Sequence, residues 1–547
     1  MDGSDDEQFP HGTVRLEQLL DAGDNRIILQ PTPSPDPNDP LNWSKLWKTV
    51  NFSLVCLYTL LVFVNVDVGT VDYQQLYDEL DIGFDQEQVA YGLNTLGLAV
   101  GSILFIPFAL KYGRRPVYIL SIIVSIAGAV WQGTTQTAGD LYGSNLIAGL
   151  AGSVAEVICQ MTIADLFFVH QRATANSIYL VMVSMGAYLG PVAAGYVAES
   201  QGWRWIFWWT TIIGAVNLVL YIFFYEETKY DPTTEAPVVT APAVVSSLFT
   251  RTQTPDSTRN LIGKPRDGAN AESGRTNTDL STNTNTSITR RRPYLRRLFH
   301  TSSSHGDWLT FIRHSWQGFH ILFTIPIIAW ITFMSSALFA LFAIVNQTFS
   351  IYFVLDPYNF TPSGIGLMNL PPFIGGILGS LYGGWLNDWL IRQLARRNKG
   401  IYEPEMRLWL ALPSIILMPG SLLLFGLSTN YGLPWIIPCV GLAMNGFAYV
   451  SLSNCLLTYL MDSYIEIIGD TMVQFAFVRN AFATIVVVAM DPWTDAMGLD
   501  GIYIICASVS FVLCATIIPV YFYGKRMRIK SGPRYEKMSK RQYTTRA

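Results

Sequence analysis

Apolar residues run along this chain in long unbroken stretches, not at the one-face spacing of a soluble helix. Stretches near 47–70, 87–110, 116–135, 141–165, 174–198 and 205–225 come first. Six more follow near 320–347, 365–391, 407–428, 433–460, 471–490 and 501–523. About 20 apolar residues carry a helix across the hydrocarbon, so each stretch predicts one membrane span. Two sets of six around a long polar insert make a two-fold repeat in hydropathy, as in transporters that bind substrate between two halves. The chain therefore divides into an N-terminal tail (1–46), a six-helix half (47–228), a linker (229–318), a second six-helix half (319–523) and a basic C-terminal tail (524–547). The N-terminal tail and the linker read as disordered, because stretches rich in Pro, Ser, Thr and Asn bury too little apolar surface to fold alone.

Composition agrees with an all-α integral membrane fold. Of 547 residues half are hydrophobic and 14% charged, against about a quarter charged in soluble domains. A secreted protein and a single-core cytosolic enzyme are both excluded. The six cysteines, Cys56, Cys159, Cys439, Cys455, Cys506 and Cys514, lie in or beside apolar stretches without ligand spacing. Neither a disulfide framework nor a metal site is expected. Met1-Asp2-Gly3-Ser4-Asp5-Asp6-Glu7 is acidic and carries no signal-peptide core. Basic residues cluster at Lys111, Arg114, Arg115 and Arg172, through the linker, from Arg392 to Arg407, and in the C-terminal tail. The positive-inside rule then places both termini in the cytosol. The run Arg290-Arg291-Arg292-Pro293-Tyr294-Leu295-Arg296-Arg297 reads as a solvated linker segment, with anionic lipid or a phosphosite as the sharper alternative. Asn359-Phe360-Thr361 is a glycosylation sequon in an expected outside loop.

No phosphate loop, nucleophile elbow or zincin motif occurs. The expectation is a non-enzyme without cofactor or metal. Its expected partners are the lipid bilayer, protons and a small organic substrate, with no nucleic acid, and it is expected to act as a monomer.

Charge inside a span marks the candidate chemistry, since it costs about 2.5–3.5 kcal/mol at the bilayer centre. Asn145, Gly149, Gly152, Glu156 and Gln160 share one face of the fourth span. Glu156 reads as an amine- or proton-binding carboxylate, against a packing role for a hydrogen-bonded Glu. Asp67, near the outer end of the first span, is either a second cation site or a helix-end acid at the headgroups. Asp72 and the acids after it read as a solvated loop face. In the second half Asn445 and Tyr449 are the preferred cavity pair. Arg479 and Asn480 are assigned a structural pairing with Asp462, Glu466 or Asp470. Gly186, Gly190 and Ala194 offer a groove to a neighbouring helix, and Pro191 bends the fifth span.

Several local sequences carry a family resemblance. Gly113-Arg114-Arg115-Pro116 resembles half of the major facilitator superfamily's cytosolic loop motif, and Gly384-Trp385-Leu386-Asn387-Asp388 its repeat. The stretch from Gly186 to Gly195 is similar to the antiporter motif. Asp39-Pro40-Leu41-Asn42-Trp43, Trp203-Arg204-Trp205-Ile206-Phe207 and Tyr225-Glu226-Glu227-Thr228 complete the set. Together they resemble fungal twelve-span drug:proton antiporter-like carriers, near the branch of polyamine/histidinol carriers and secondary-metabolite exporters. The resemblance implies a twelve-helix fold in two six-helix halves and a plasma-membrane location. It makes Gly186, Gly190 and Pro191 gating residues, with Arg114, Arg115 and Asp388 as cytosolic latches. Two positions depart from the pattern. No acid precedes Gly113, and Asn145 stands where the family carries an Arg linked to proton coupling. The implied function is proton-linked efflux of a drug or secondary metabolite, with uptake of polyamines or other organic cations as the alternative and a non-transporting sensor as a remote one.

Overall fold

The computed structural model describes residues 11–15, 36, 38–230, 308–398 and 401–539. The 290–297 basic run, most of the linker and the last eight residues lie outside the described residues. Among the described residues twelve helical segments are long and apolar enough to cross a membrane. In the first half they are α1 (Lys45–Asp67), α3 (Phe84–Tyr112), α4 (Arg114–Gly133), α5 (Ala138–Leu166), α6 (Val169–Gln201) and α7 (Trp203–Phe224), with the short α2 (Tyr73–Leu80) between the first two. In the second half α8 (Trp308–Thr324) leads into α9 (Pro326–Tyr352). The eighth crossing is built from α10 (Pro362–Leu367), α11 (Leu370–Leu381), a π turn and α12 (Asn387–Arg397). Then come α13 (Ser414–Asn430), α14 (Ile436–Ser463), α15 (Ile468–Val488), α16 (Met490–Ala515) and α17 (Ile517–Ser539). Every apolar stretch in the sequence holds one crossing.

Local chemistry sets the ends. Ser44 caps α1 by accepting the Trp47 N–H. Thr137 and Asp140 form a reciprocal capping box at the start of α5. Gly113 turns the chain between α3 and α4 at φ 100°. A Cβ there would sit 2.3 Å from a Glu227 oxygen, so both conformation and space require glycine.

The halves touch at backbone distance at the face opposite the termini. A Cβ on Gly195 of α6 would lie 2.4 Å from the Pro362 carbonyl oxygen, and one on Gly366 of α10 would lie 2.7 Å from that of Pro191. Tyr73 donates to Gln347 Oε1 of α9 at 2.6 Å, and the Thr95 and Thr484 hydroxyls bond at 2.8 Å between α3 and α15.

Three described segments are ordered outside the predicted spans, two of them in stretches read as disordered. Helix α8 begins at Trp308, inside the stretch read as linker. The basic tail is helical to Ser539, and Arg528 within it is fully buried. Within the N-terminal tail Val14–Arg15 forms a strand, β1, antiparallel to β2 (Ile401–Tyr402), with Val14 opposite Tyr402. The His11 ring stacks on Tyr535 at 4.5 Å, and its carbonyl oxygen accepts from Arg528. Residues 36 and 38–43 meanwhile lie beside the first half, where Lys48 of α1 donates to the Leu41 carbonyl at 3.0 Å and Tyr230 donates to Asp36 at 3.3 Å. Hydropathy averages gave no sign of this docking, because it uses backbone pairing and one ring.

Burial and the Arg528 charge lower the His11 imidazole to about 4, with Glu466 opposing. Docking therefore selects the neutral ring. Its contribution is complete above the ordinary histidine value near 6.5 and is lost as pH falls towards 4. Between pH 7 and pH 5 the undocked fraction is expected to rise roughly tenfold, after discounting for the half-exposed position of the ring. Hydrogen exchange at residues 11–15, corrected for intrinsic rates, reads this, and His11→Gln should flatten the response.

Candidate functional site

Glu156 sits on α5 with its carboxylate turned across the boundary between the halves. Arg479 of α15 donates to Oε1, and Asn480 Nδ2 donates to Oε2 at 2.6 Å. The pair is an ion bridge between halves with the Glu156 side chain 4% exposed. This corrects the expected pairing of Arg479 and Asn480 with Asp462, Glu466 or Asp470. Those acids lie at the α14–α15 junction on the termini face, whereas Arg479 is midway along α15 at the depth of Glu156. The Arg479 guanidinium also lies 4.7 Å from the Phe339 ring centre and 5.9 Å from that of Phe475, a cation–π arrangement.

An aromatic wall continues from that point. Phe339 stacks on Phe342 at 6.0 Å, and Phe342 stacks on Tyr449 at 4.9 Å with 14° between planes. Tyr188 of α6 meets Phe342 edge-on at 6.0 Å and Phe373 of α11 at 6.4 Å. The Tyr188 hydroxyl is buried without a hydrogen-bond partner among the described residues. The wall thus draws rings from both halves beside a carboxylate–guanidinium pair. Its rings are scattered over four helices, which is why helical spacing could not assemble it.

The other sequence-predicted residues separate. Asn445 does not join Tyr449: its Nδ2 donates to Ser421 of α13 at 3.3 Å, and it is 2% exposed. Gly149 and Gly152 pack on α3 and α1 within the first half instead of lining a cavity with Glu156. Asp67, the last residue of α1, is buried and accepts from Tyr91 at 3.3 Å. Asp78, Glu79 and Asp81 are exposed as a solvated face requires, but Asp72 departs from that reading, being 1% exposed. It stands at the start of α2 and lines a cavity together with the buried Tyr73 and Leu76. Asn145 accepts weakly from Asn94 and Gln132 at 3.3 and 3.4 Å.

Gly186 and Gly190 fit against α1, with a Cβ on Gly186 falling 2.6 Å from the Leu60 carbonyl oxygen. Pro191 reaches the other half through its carbonyl at Gly366. On the termini face Arg114 ion-pairs with Asp165 at 3.1 Å. The Arg114 and Arg115 backbone N–H groups donate to the two Glu227 oxygens at 2.8 and 3.1 Å. Glu227 therefore caps α4, where the helix N-terminus favours an anion. Burial pushes its carboxyl up while the N–H groups of Arg114 and Lys229 pull it back. Asp165 and Glu227 thus supply the acid missing before Gly113. In the second half Arg407 joins Asp388 at 3.1 Å and Asp462 at 2.5 Å. Asn359 is exposed in the α9–α10 loop at the opposite face. Among the described residues no group of three or more His, Cys, Asp or Glu is placed to hold a metal ion.

Comparison with known proteins follows the same lines. A family profile described as "Major Facilitator Superfamily" matches residues 52–488. An MFS-type transporter of Schizosaccharomyces pombe is 31% identical, with 94% of this chain and 90% of the relative aligned. Protein HOL1 of Saccharomyces cerevisiae is 29% identical, with 94% and 92% aligned. Efflux pump radE of Floropilus chiversii is 25% identical, with 96% and 88% aligned. Among solved structures, the human organic anion transporter MFSD10 superposes with a TM-score of 0.53 at 15% identity, covering 86% of this chain and 99% of that one. The proton:xylose symporter XylE gives 0.55 at 12% identity, covering 88% and 97%.

Proposed function

Because the chain belongs to the major facilitator superfamily, we propose that it carries a small organic cation across the plasma membrane by alternating access, with both termini cytosolic. The observation that carries this reading is the Glu156–Arg479 bridge beside the aromatic wall. A carboxylate that loses its arginine partner at mid-depth needs another positive charge, from a proton or from a substrate ammonium group. Either one competes with Arg479, so occupancy of the site and contact between the halves are linked. Tyr188, Phe342 and Tyr449 would then face the organic part of the substrate, and their π faces favour a cation. Gly195 and Gly366, where the halves touch at backbone distance, would be the outer gate, and Pro191 its bend. Arg114 and Asp388, with their carboxylate and arginine partners, would be the cytosolic latches.

Import is the direction we favour, since a membrane potential negative inside draws a cation inwards by about 2.3 kcal/mol per charge at 100 mV. Proton-linked export is the second reading. Its support is the resemblance of the α6 glycine stripe to the antiporter motif, together with a relative named an efflux pump. Proteoliposomes of the purified chain, clamped negative inside, are expected to accumulate labelled spermidine above protein-free controls. Equal levels, with protein insertion verified, overturn the organic-cation reading. Loss of preloaded spermidine driven by an inward proton gradient would replace import by export.

A further inference from the structure

In the first half, close to the face opposite the termini, a small cavity opens between α1, α2, α3, α4 and α5. Asn65, Asp72, Glu87 and Gln132 line it, and they are 7%, 1%, 4% and 2% exposed. Six of their oxygens are buried without a hydrogen-bond donor among the described residues. These are both carboxylate oxygens of Asp72, both of Glu87, Oδ1 of Asn65 and Oε1 of Gln132. A buried polar atom left unpaired costs about 1–3 kcal/mol, and more for a charged group. Six around one space describe a cavity built for donors. The Gln132 amide is oriented by its own bond, since its Nε2 donates to Asn145 Oδ1 and leaves Oε1 free. No Lys, Arg or His lines the space. Where the family carries an arginine this chain has Asn145, itself a lining residue, so the carboxylates have no fixed counter-charge there.

We infer that this cavity is a second ligand site, taking the protonated amino group of a primary aliphatic amine. The inference rests on the organic-cation reading for its choice of ligand, but not on Glu156. A primary ammonium offers three N–H donors and a positive charge to these acceptors, and the lining hydroxyls of Thr70, Tyr73 and Tyr91 are already donated to Asp67 and Gln347. The volume, about 40 Å³, is room for roughly three water-sized groups, which fits an ammonium head with its first methylenes. Leu76, Ala90, Leu141 and Phe207 are also among the lining residues and suit the methylenes. A bare metal ion is disfavoured, because the lining holds two acids and no third His, Cys, Asp or Glu joins them among the described residues. Burial also pushes the Asp72 carboxyl up to about 8, as expected of an acid enclosed without a cation.

Equilibrium binding of radiolabelled putrescine to the purified full chain at pH 8.5 tests this. With Glu156→Gln silencing the central carboxylate, one equivalent is expected to remain bound. Adding Asp72→Asn or Glu87→Gln should weaken it at least about tenfold, the size of one lost charged hydrogen bond. In the otherwise wild-type chain the same substitutions should lower the stoichiometry from two equivalents to one. Tetramethylammonium, which has no N–H to donate, should not compete. Three results overturn the inference: no binding to folded Glu156→Gln protein, binding unchanged by both outer substitutions, or displacement by sodium or tetramethylammonium. Melting temperatures identify variants that fail to fold, for which Gln132→Leu removes one acceptor without touching a charge. Normal transport by Glu156→Gln would count against the central-site reading alone, leaving the outer equivalent intact.

Discussion

Glu156→Gln is expected to reduce transport at least about 100-fold, equivalent to about 2.7 kcal/mol, while the protein stays folded. Glutamine is isosteric and can still accept from Asn480, so the α5–α15 contact keeps one of its two hydrogen bonds. What disappears is the negative charge for which Arg479, a proton and a substrate ammonium compete. Arg479 would not be stranded, because its side chain is 21% exposed and lies over the Phe339 ring. Arg479→Gln should behave differently. It frees Glu156, so cation affinity should tighten while turnover falls, because the carboxylate no longer has a partner to return to. Initial rates and binding constants in proteoliposomes separate the two variants. Full transport by Glu156→Gln would rule out the central mechanism.

Arg528→Met is expected to destabilise the chain by about 3–5 kcal/mol, the cost of breaking a buried ion pair from one side. Arg528 is 0% exposed and Glu405 4%. The guanidinium donates to both Glu405 oxygens, Nε at 2.8 Å and Nη2 at 2.7 Å. Removing it leaves a buried carboxylate with no equivalent donor. The paired change Arg528→Met with Glu405→Met should recover most of the loss, since two apolar side chains carry no desolvation cost. Thermal melting in detergent measures both. If the double variant melts as low as the single one, the damage comes from the N-terminal docking that Arg528 also supports, not from the stranded acid.

The twelve crossings were legible because the bilayer demands long apolar runs, a requirement that needs no knowledge of neighbours. Glu156 was legible for the same reason: a charge at mid-span must meet a partner. Arg479 satisfies that criterion equally, twelfth among the 21 residues of α15. Joining the two would have predicted the bridge, but matching Arg479 to acids nearby in sequence hid a partner 323 residues away. Asp72 failed for another reason. A polar loop reads as solvated unless something is known to cover it, and the cover is α2 together with α3. Asn445 and Tyr449 share a helical face, yet that face is wide enough for one to bond α13 and the other to stack on α9. Residue spacing fixes the face but not the neighbour.

The docked strand β1 has a consequence for how the chain is made. His11 and Arg528 touch although 517 residues separate them, so the first described segment to leave the ribosome cannot reach its seat until nearly the last helix exists. Like the Arg528–Glu405 and Lys525–Glu403 pairs on that face, this contact can form only after α17 has been made. A truncated chain that stops before α17 would present β1 unseated, and a quality-control protease able to engage that segment could tell complete copies from incomplete ones.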